Sequence, residues 1–195
     1  MTQESSPMSL MDAIYTRRAI RDYTQDVPDR ATVQALLDAA VHAPTALHQE
    51  LWAFTVIQDK ALLQTISDRA IAHTRESKKD ATDAVSRKIL DYVNTPGFNM
   101  FYNAPTLIAI GTTRADAMGT ADCWLAAENL MLAARARGLG SCVIGMAIVE
   151  LNHPETKELL GIPPDVTVLA PLIVGTPASE PSVGMRKPPS IVSWK

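Results

Sequence analysis

A chain of 195 residues with 47% hydrophobic and 20% charged side chains can enclose one domain core and is too apolar for global disorder. A formal net charge of −3 argues against nucleic acid as a partner, and no apolar run reaches the ~18 residues that span a bilayer. Met1–Pro7 lacks a basic stretch followed by an apolar one and reads as no export signal. Cys123 and Cys142 stand outside any Cys-x-x-Cys pattern and read as buried thiols, so the expected compartment is the reducing cytoplasm.

Ser9-Leu10-Met11-Asp12 has the form of a capping box opening a short helix. That helix runs into Arg17, Arg18 and Arg21, three guanidiniums within five positions of a mildly acidic chain. A helical continuation would put Arg17 and Arg21 on one face, where they repel unless an anion sits between them. Alternatively, the arginines simply end the helix, where cations suit the last carbonyls. Asp29 caps a second helix with Val33, Leu36, Leu37, Ala40 and Val41 at helical spacing, ending before Pro44.

The loop from Ala43 delivers a strand from Trp52 to Gln58, and Asp59 caps the next helix. From about Glu76 to Tyr92 the many charges predict an exposed flanking helix. Asn94-Thr95-Pro96-Gly97 is a turn, followed by the apolar patch Phe98, Met100, Phe101 and Tyr102. Thr106 to Thr112 reads as a strand buried on both faces. A helix starting at Thr120 or Asp122 and ending near Arg137 is apolar almost all round, which implies burial or a subunit interface. Gly138-Leu139-Gly140 closes this helix and opens a strand, Cys142 to Met146, the reverse of a dinucleotide fingerprint. His153 to Leu160 predicts a short helix. Val166 to Val174 predicts a last strand that Pro171 assigns to an edge or bulge. The Pro-containing tail from about 176 to 195 has no core of its own and is expected to pack on a partner subunit. No repeat or boundary divides residues 1–195, so one domain is expected.

The four histidines, His42, His48, His73 and His153, lack metal-ligand spacing, and no metal is expected. There is no nucleophile elbow, no activated thiol and no conspicuous carboxylate pair. An anion site with so little catalytic equipment suits a protein whose cofactor performs the reaction.

Arg17-Arg18-Ala19-Ile20-Arg21-Asp22-Tyr23 resembles the Arg-Arg-Ser-x-Arg-x-Phe segment of the FMN-dependent nitroreductase family. Four further segments resemble it in the same order: Ala43 to Phe54, Ala104 to Ile108, Glu128 to Ser141, and Val174 to Pro177 with Arg186-Lys187-Pro188. The resemblance implies an α+β, three-layer fold. Its central sheet is mixed, mostly antiparallel, and flanked by helices, in an intertwined homodimer with FMN at the interface. It assigns the phosphate and pyrimidine edge to Arg17, Arg18, Ala19 and Arg21 with Arg186 or Lys187. It puts Pro44, Thr45, Ala46 and His48 against the flavin from the other subunit, and Ile144 and Gly145 beside N5, with a backbone N–H facing it. No side chain is then catalytic. NAD(P)H reduces the flavin, which reduces a small-molecule acceptor such as a nitroaromatic or quinone. A flavin-destroying or dehalogenating branch, or a non-catalytic flavin sensor, are the alternatives. Ala19 for Ser, His48 for Asn, Glu50-Leu51 for Gln-Pro and Glu128 for Gln depart from the family pattern. Glu128 calls for a partner or for water.

Overall fold

Seven consecutive buried residues, Thr106–Thr112, form the central strand β2 of the protein. They are described, with residues 8–180 and 184–195, by a computed structural model. The opening heptapeptide and Pro181 of the tail lie outside those residues. β1 (Trp52–Ile57) pairs antiparallel with one edge of β2, from Trp52–Thr112 to Ile57–Leu107. β4 (Thr167–Gly175) pairs antiparallel with the other, and β3 (Gly140–Val143) pairs antiparallel with β4, giving the order β1-β2-β4-β3. All three strand pairings among the described residues are antiparallel, so the sheet is not mixed as expected; an isolated parallel bridge, Ala19 to Ser141, lies outside the strands.

Helices cover both faces, which makes three layers. Alternate residues of β2 face opposite cores: Leu107 and Ala109 one, Ile108 and Ile110 the other. The second core is completed by α2 (Arg30–Ala40) and α5 (Ala117–Ala136), through Leu36, Ala40, Ala126, Ala127 and Leu130. The first is completed by α3 (Lys60–Lys78), α6 (Ile148–Leu151) and the 98–102 segment, through Ile66, Ala70, Met100, Phe101 and Leu151. α4 (Ala84–Val93) leans on α3, α7 (Pro154–Leu160) follows α6, and α1 (Leu10–Thr16) packs on α5.

Local chemistry explains the boundaries. Ser9 caps α1 by accepting from Asp12 N–H, one half of the capping box expected; Asp12 Oδ2 reaches back to the Ser9 hydroxyl, which donates to it, in place of the Ser9 N–H. Asp29 and Asp59 accept from Thr32 N–H and Leu62 N–H at the starts of α2 and α3.

Four further expectations need correction. The charged stretch from Glu76 to Tyr92 is two helices, because α3 runs to Lys78 and Asp83 caps a new one at Ala84. α5 begins at Ala117 under an Asp116 cap, earlier than Thr120 or Asp122. β3 occupies Gly140–Val143 and is over before Met146, where a 3-10 turn, Gly145–Ala147, intervenes. Pro171 does not lie at an edge: β4 is flanked on both sides. Its carbonyl accepts from Ile144 N–H on the β3 side, so its missing N–H points to where the β3 ladder has just ended. The bulge sits two residues earlier, where the β2–β4 register shifts between Ile110–Ala170 and Gly111–Val168.

Candidate functional site

The arginine segment is not helical. α1 stops at Thr16 and Arg17, its C-cap, is extended (φ −59, ψ 134). Arg17 and Arg21 therefore share no helix face, and the repulsion expected from a continued helix does not arise. Instead the chain lies along the open edge of β3. Ile20 N–H donates to Ser141 O (3.0 Å), Thr24 N–H to Thr176 O (2.9 Å) and Ala178 N–H to Asp22 O (3.0 Å). Close approach requires Gly140, since a Cβ there would lie 2.7–2.9 Å from Ile20 side-chain atoms. Tyr23 is buried beneath the segment with its hydroxyl donating to Ile20 O; burial pushes the phenol far above its usual range.

The three guanidiniums have different duties. Arg17 Nε lies 3.4 Å from Glu128 Oε1, which supplies the partner that this carboxylate needs. Arg18 donates from Nη1 to the carbonyls of Tyr15 and Arg17 and from Nη2 to that of Gly184. Its Nε is buried and has no partner among the described residues. Arg21 stands over the Tyr102 ring, 5.8 Å from the centroid, and beside Cys142. Burial raises the Cys142 thiol and the Tyr102 phenol, with Arg21 opposing both shifts, so both groups stay neutral beside the cation. Arg18, Ala19 and Arg21 border an open groove of about 270 Å³, together with Asp22, Ser179 and Glu180. Arg186 and Lys187 are exposed, two and three residues beyond the Gly184 carbonyl that Arg18 holds.

Pro44, Thr45, Ala46 and His48 form a loop beside the N-terminal half of α5. Asp122 fixes it, both carboxylate oxygens accepting from Ala46 N–H (3.1 and 3.3 Å) while its carbonyl accepts from Trp52 Nε1 (3.3 Å). Arg114 Nη1 donates to Gln49 Oε1 (2.8 Å). Leu47, His48 and Glu50 all have left-handed φ of 50–57°, unusual for side chains with a Cβ. Leu47 is 81% exposed and His48 also faces outward. Among the described residues, no hydrogen bond or ion pair links this loop to the arginine segment.

Ile144 N–H donates to Pro171 O (2.9 Å), which ends β3 and starts the turn at Gly145. Gly145 is exposed, its missing Cβ would meet nothing within 4 Å, and its N–H donates to no acceptor among the described residues. Beyond it lies a group that sequence reasoning missed. Glu150, 1% exposed, accepts from Thr156 Oγ1 and stands 2.6 Å from His73 Nδ1. The His153 ring is tilted against that of His73, 5.2 Å between centroids. His73 and Glu150 are 77 positions apart, so no local pattern announces them. Asp122 and Arg114 were likewise invisible, because their partners are loop atoms far along the chain. Tyr102 was marked only as part of an aromatic patch.

Solved structures share this fold, two of them with high coverage of both chains. These two are a nitroreductase with bound FMN from Bacteroides fragilis (24% identity, TM-score 0.78, 96% of this chain and 98% of that one) and an FMN-dependent nitroreductase from Clostridium difficile (24%, 0.78, 97% and 100%). An NADH dehydrogenase from Thermus thermophilus is 26% identical over 199 residues, 94% of each chain. With this fold, and with cations and free donors in place of a nucleophile, the class defined is a flavin-dependent oxidoreductase. The pattern of the Nitroreductase family matches residues 14–176, and the chain belongs to that family.

Proposed function

We propose that this protein is a cytoplasmic homodimer that uses FMN to oxidise NAD(P)H and reduce nitroaromatics, quinones or similar acceptors. The observation that carries the reading is the buried, unpartnered Nε of Arg18 beside the open guanidinium of Arg21. A buried donor without an acceptor is costly, and a phosphate or the electron-rich edge of a flavin satisfies it. FMN therefore fits these residues. Arg18 and Arg21 hold its anionic groups, aided by Arg17 and by Arg186 or Lys187. The small side chain of Ala19 leaves room beside them.

When bound, FMN supplies the redox chemistry, taking a hydride from NAD(P)H and passing electrons to the acceptor. The protein's part is electrostatic. A guanidinium fixed over Tyr102 stabilises negative charge without reorganising, and the free Gly145 N–H, with Ile144 behind it, offers a donor at the flavin ring nitrogen. Pro44, Thr45, Ala46 and His48 come from the second subunit. Several exposed apolar groups support that dimer: Leu10 and Tyr15 of α1, Trp124 and Leu125 of α5, Leu47, and Val192 and Trp194 of the tail, 98% and 86% exposed. Interfaces of this kind commonly bury ~2,000 Å² or more. The names of the Thermus relative and of the FMN-bound neighbours support the same assignment.

The purified protein should be yellow, and NADH or NADPH should bleach it without oxygen. A colourless protein that refuses added FMN overturns the reading. A flavin that binds yet resists both nicotinamides would make the protein a sensor. Sedimentation of the loaded protein should give a dimer, and a stable folded monomer at micromolar concentration refutes that part.

A further inference from the structure

The most deeply buried carboxylate lies away from the arginines. Glu150 on α6 is out of water, and such a group is costly unless its oxygens are bonded. Thr156 Oγ1 donates to one oxygen, while the other stands 2.6 Å from His73 Nδ1 in a contact that lacks hydrogen-bond geometry, so both of those buried atoms are left without a bonded partner among the described residues. This contact orients the imidazole: Nδ1 faces Glu150, and Nε2 is turned away from it, bonded to no protein atom among the described residues. The side chain of His73 is 43% exposed.

His73 opens on a cavity of about 390 Å³ between α3, α4 and the turn at Gly145. Ile89, Met146 and Val149 give it apolar walls, while Thr74 and Lys78 join His73 as polar lining. That volume is at the low end for ligand pockets and suits one substituted ring rather than a dinucleotide. Glu150 lies at the cavity's inner end against His73, and the Lys78 ammonium, in the last turn of α3, is the cation of the lining and has no carboxylate partner among the described residues.

We propose that this cavity seats the electron-accepting substrate, and that this substrate is a single-ring aromatic acid. Its ring lies against Ile89, Met146 and Val149, and its acidic group between Lys78 Nζ and His73 Nε2. Glu150 is a positioning residue that acts through His73. The inference rests on the reading of Gly145 as a neighbour of the flavin, since Gly145 is part of the cavity lining.

The test uses the FMN-loaded, oxidised protein without NAD(P)H, with 4-nitrobenzoate and nitrobenzene as probes. Binding is followed by perturbation of the flavin absorbance and by calorimetry. The wild type should bind 4-nitrobenzoate at least tenfold more tightly than nitrobenzene. Lys78→Met should abolish that preference. Val149→Trp, at an exposed position on the cavity mouth, should weaken both probes at least tenfold with FMN content unchanged. Glu150→Gln should weaken the acid and spare nitrobenzene, a selectivity that a merely structural role would not produce. If Glu150→Gln fails to fold, the Lys78 and Val149 variants decide. Equal affinity for the two probes, no binding at millimolar concentration, or indifference to Val149→Trp overturns the proposal while leaving the flavin reading intact. Absence of FMN binding brings both down and is recognised by the missing flavin absorbance.

Discussion

Replacing Asp122 with alanine removes the carboxylate that holds Ala46 N–H and, with it, the loop carrying His48. One N–H is shared between two charged oxygens, and a hydrogen bond to a charged acceptor contributes roughly 1.5–3 kcal/mol. The pair is half-buried, so the lower end, about 1.5 kcal/mol, is the reasonable figure. Against it stand three left-handed side-chain-bearing residues at about 1–2 kcal/mol each. The loop is thus strained enough that losing one tether loosens it. If the loop closes over the flavin of the other subunit, Asp122→Ala weakens FMN binding about tenfold, the equivalent of ~1.4 kcal/mol. Asp122→Asn keeps an acceptor and should stay within about threefold. Flavin fluorescence titration gives the affinity, and urea unfolding of the same samples gives the stability. A variant that loses about 1.5 kcal/mol of stability but binds FMN unchanged would refute the loop's role. Two unchanged quantities would mean that the tether holds nothing.

Arg21→Ala should weaken FMN binding by roughly 1.5–3 kcal/mol through loss of a charged hydrogen bond, and an unchanged titration would return the arginine to a purely local role. Gly140→Ala drives a methyl group into Ile20 and should destabilise by about 1–3 kcal/mol, lowering Tm by roughly 2–4 °C per kcal/mol; a wild-type melting curve would contradict the docking of the arginine segment. Asp29, Asp83 and Asp116 are held below the usual carboxylate value of 3.8, chiefly by the backbone N–H groups of Thr32, Ser86 and Gly119. Their contribution is complete above pH 3.8 and disappears as pH falls through the lowered folded values. Changing all three to Asn keeps the caps and should flatten the acid limb of a urea-midpoint profile from pH 2 to 6; an unaltered limb sinks this account.

Where side chain and partner are neighbours in sequence, the reading was sound: Ser9, Asp29 and Asp59 announce their helices because a cap needs only the next three residues. Asp83 escaped because Lys78 to Thr82 contains neither Gly nor Pro, so the break in a charged run leaves no mark. Pro171 misled because the rule concerns a donor's direction, and that direction depends on where β3 stops. The arginine cluster was visible as composition, but its division of labour was not. Which guanidinium is satisfied by Gly184, by Glu128 or by Tyr102 follows from chain pairing over long distances. The His73–Glu150 pair is the extreme case, assembled only by the packing of α3 on α6.

The pleat of β4 reverses at its bulge, so Val168 belongs to one core, and Ala170 and Leu172 to the other. One strand thereby ties the two layers together, and neither can melt without tearing β4 from its neighbours. Their amides should exchange only through global unfolding. α4 has no such insurance. It has a single buried residue, Val93, and rests on α3. It is thus among the elements that open at low free energy, and its Ile89 walls the cavity beside Gly145. Hydrogen exchange in α4 should therefore outpace that of β2 and β4, and a cavity walled by Ile89 would open with it.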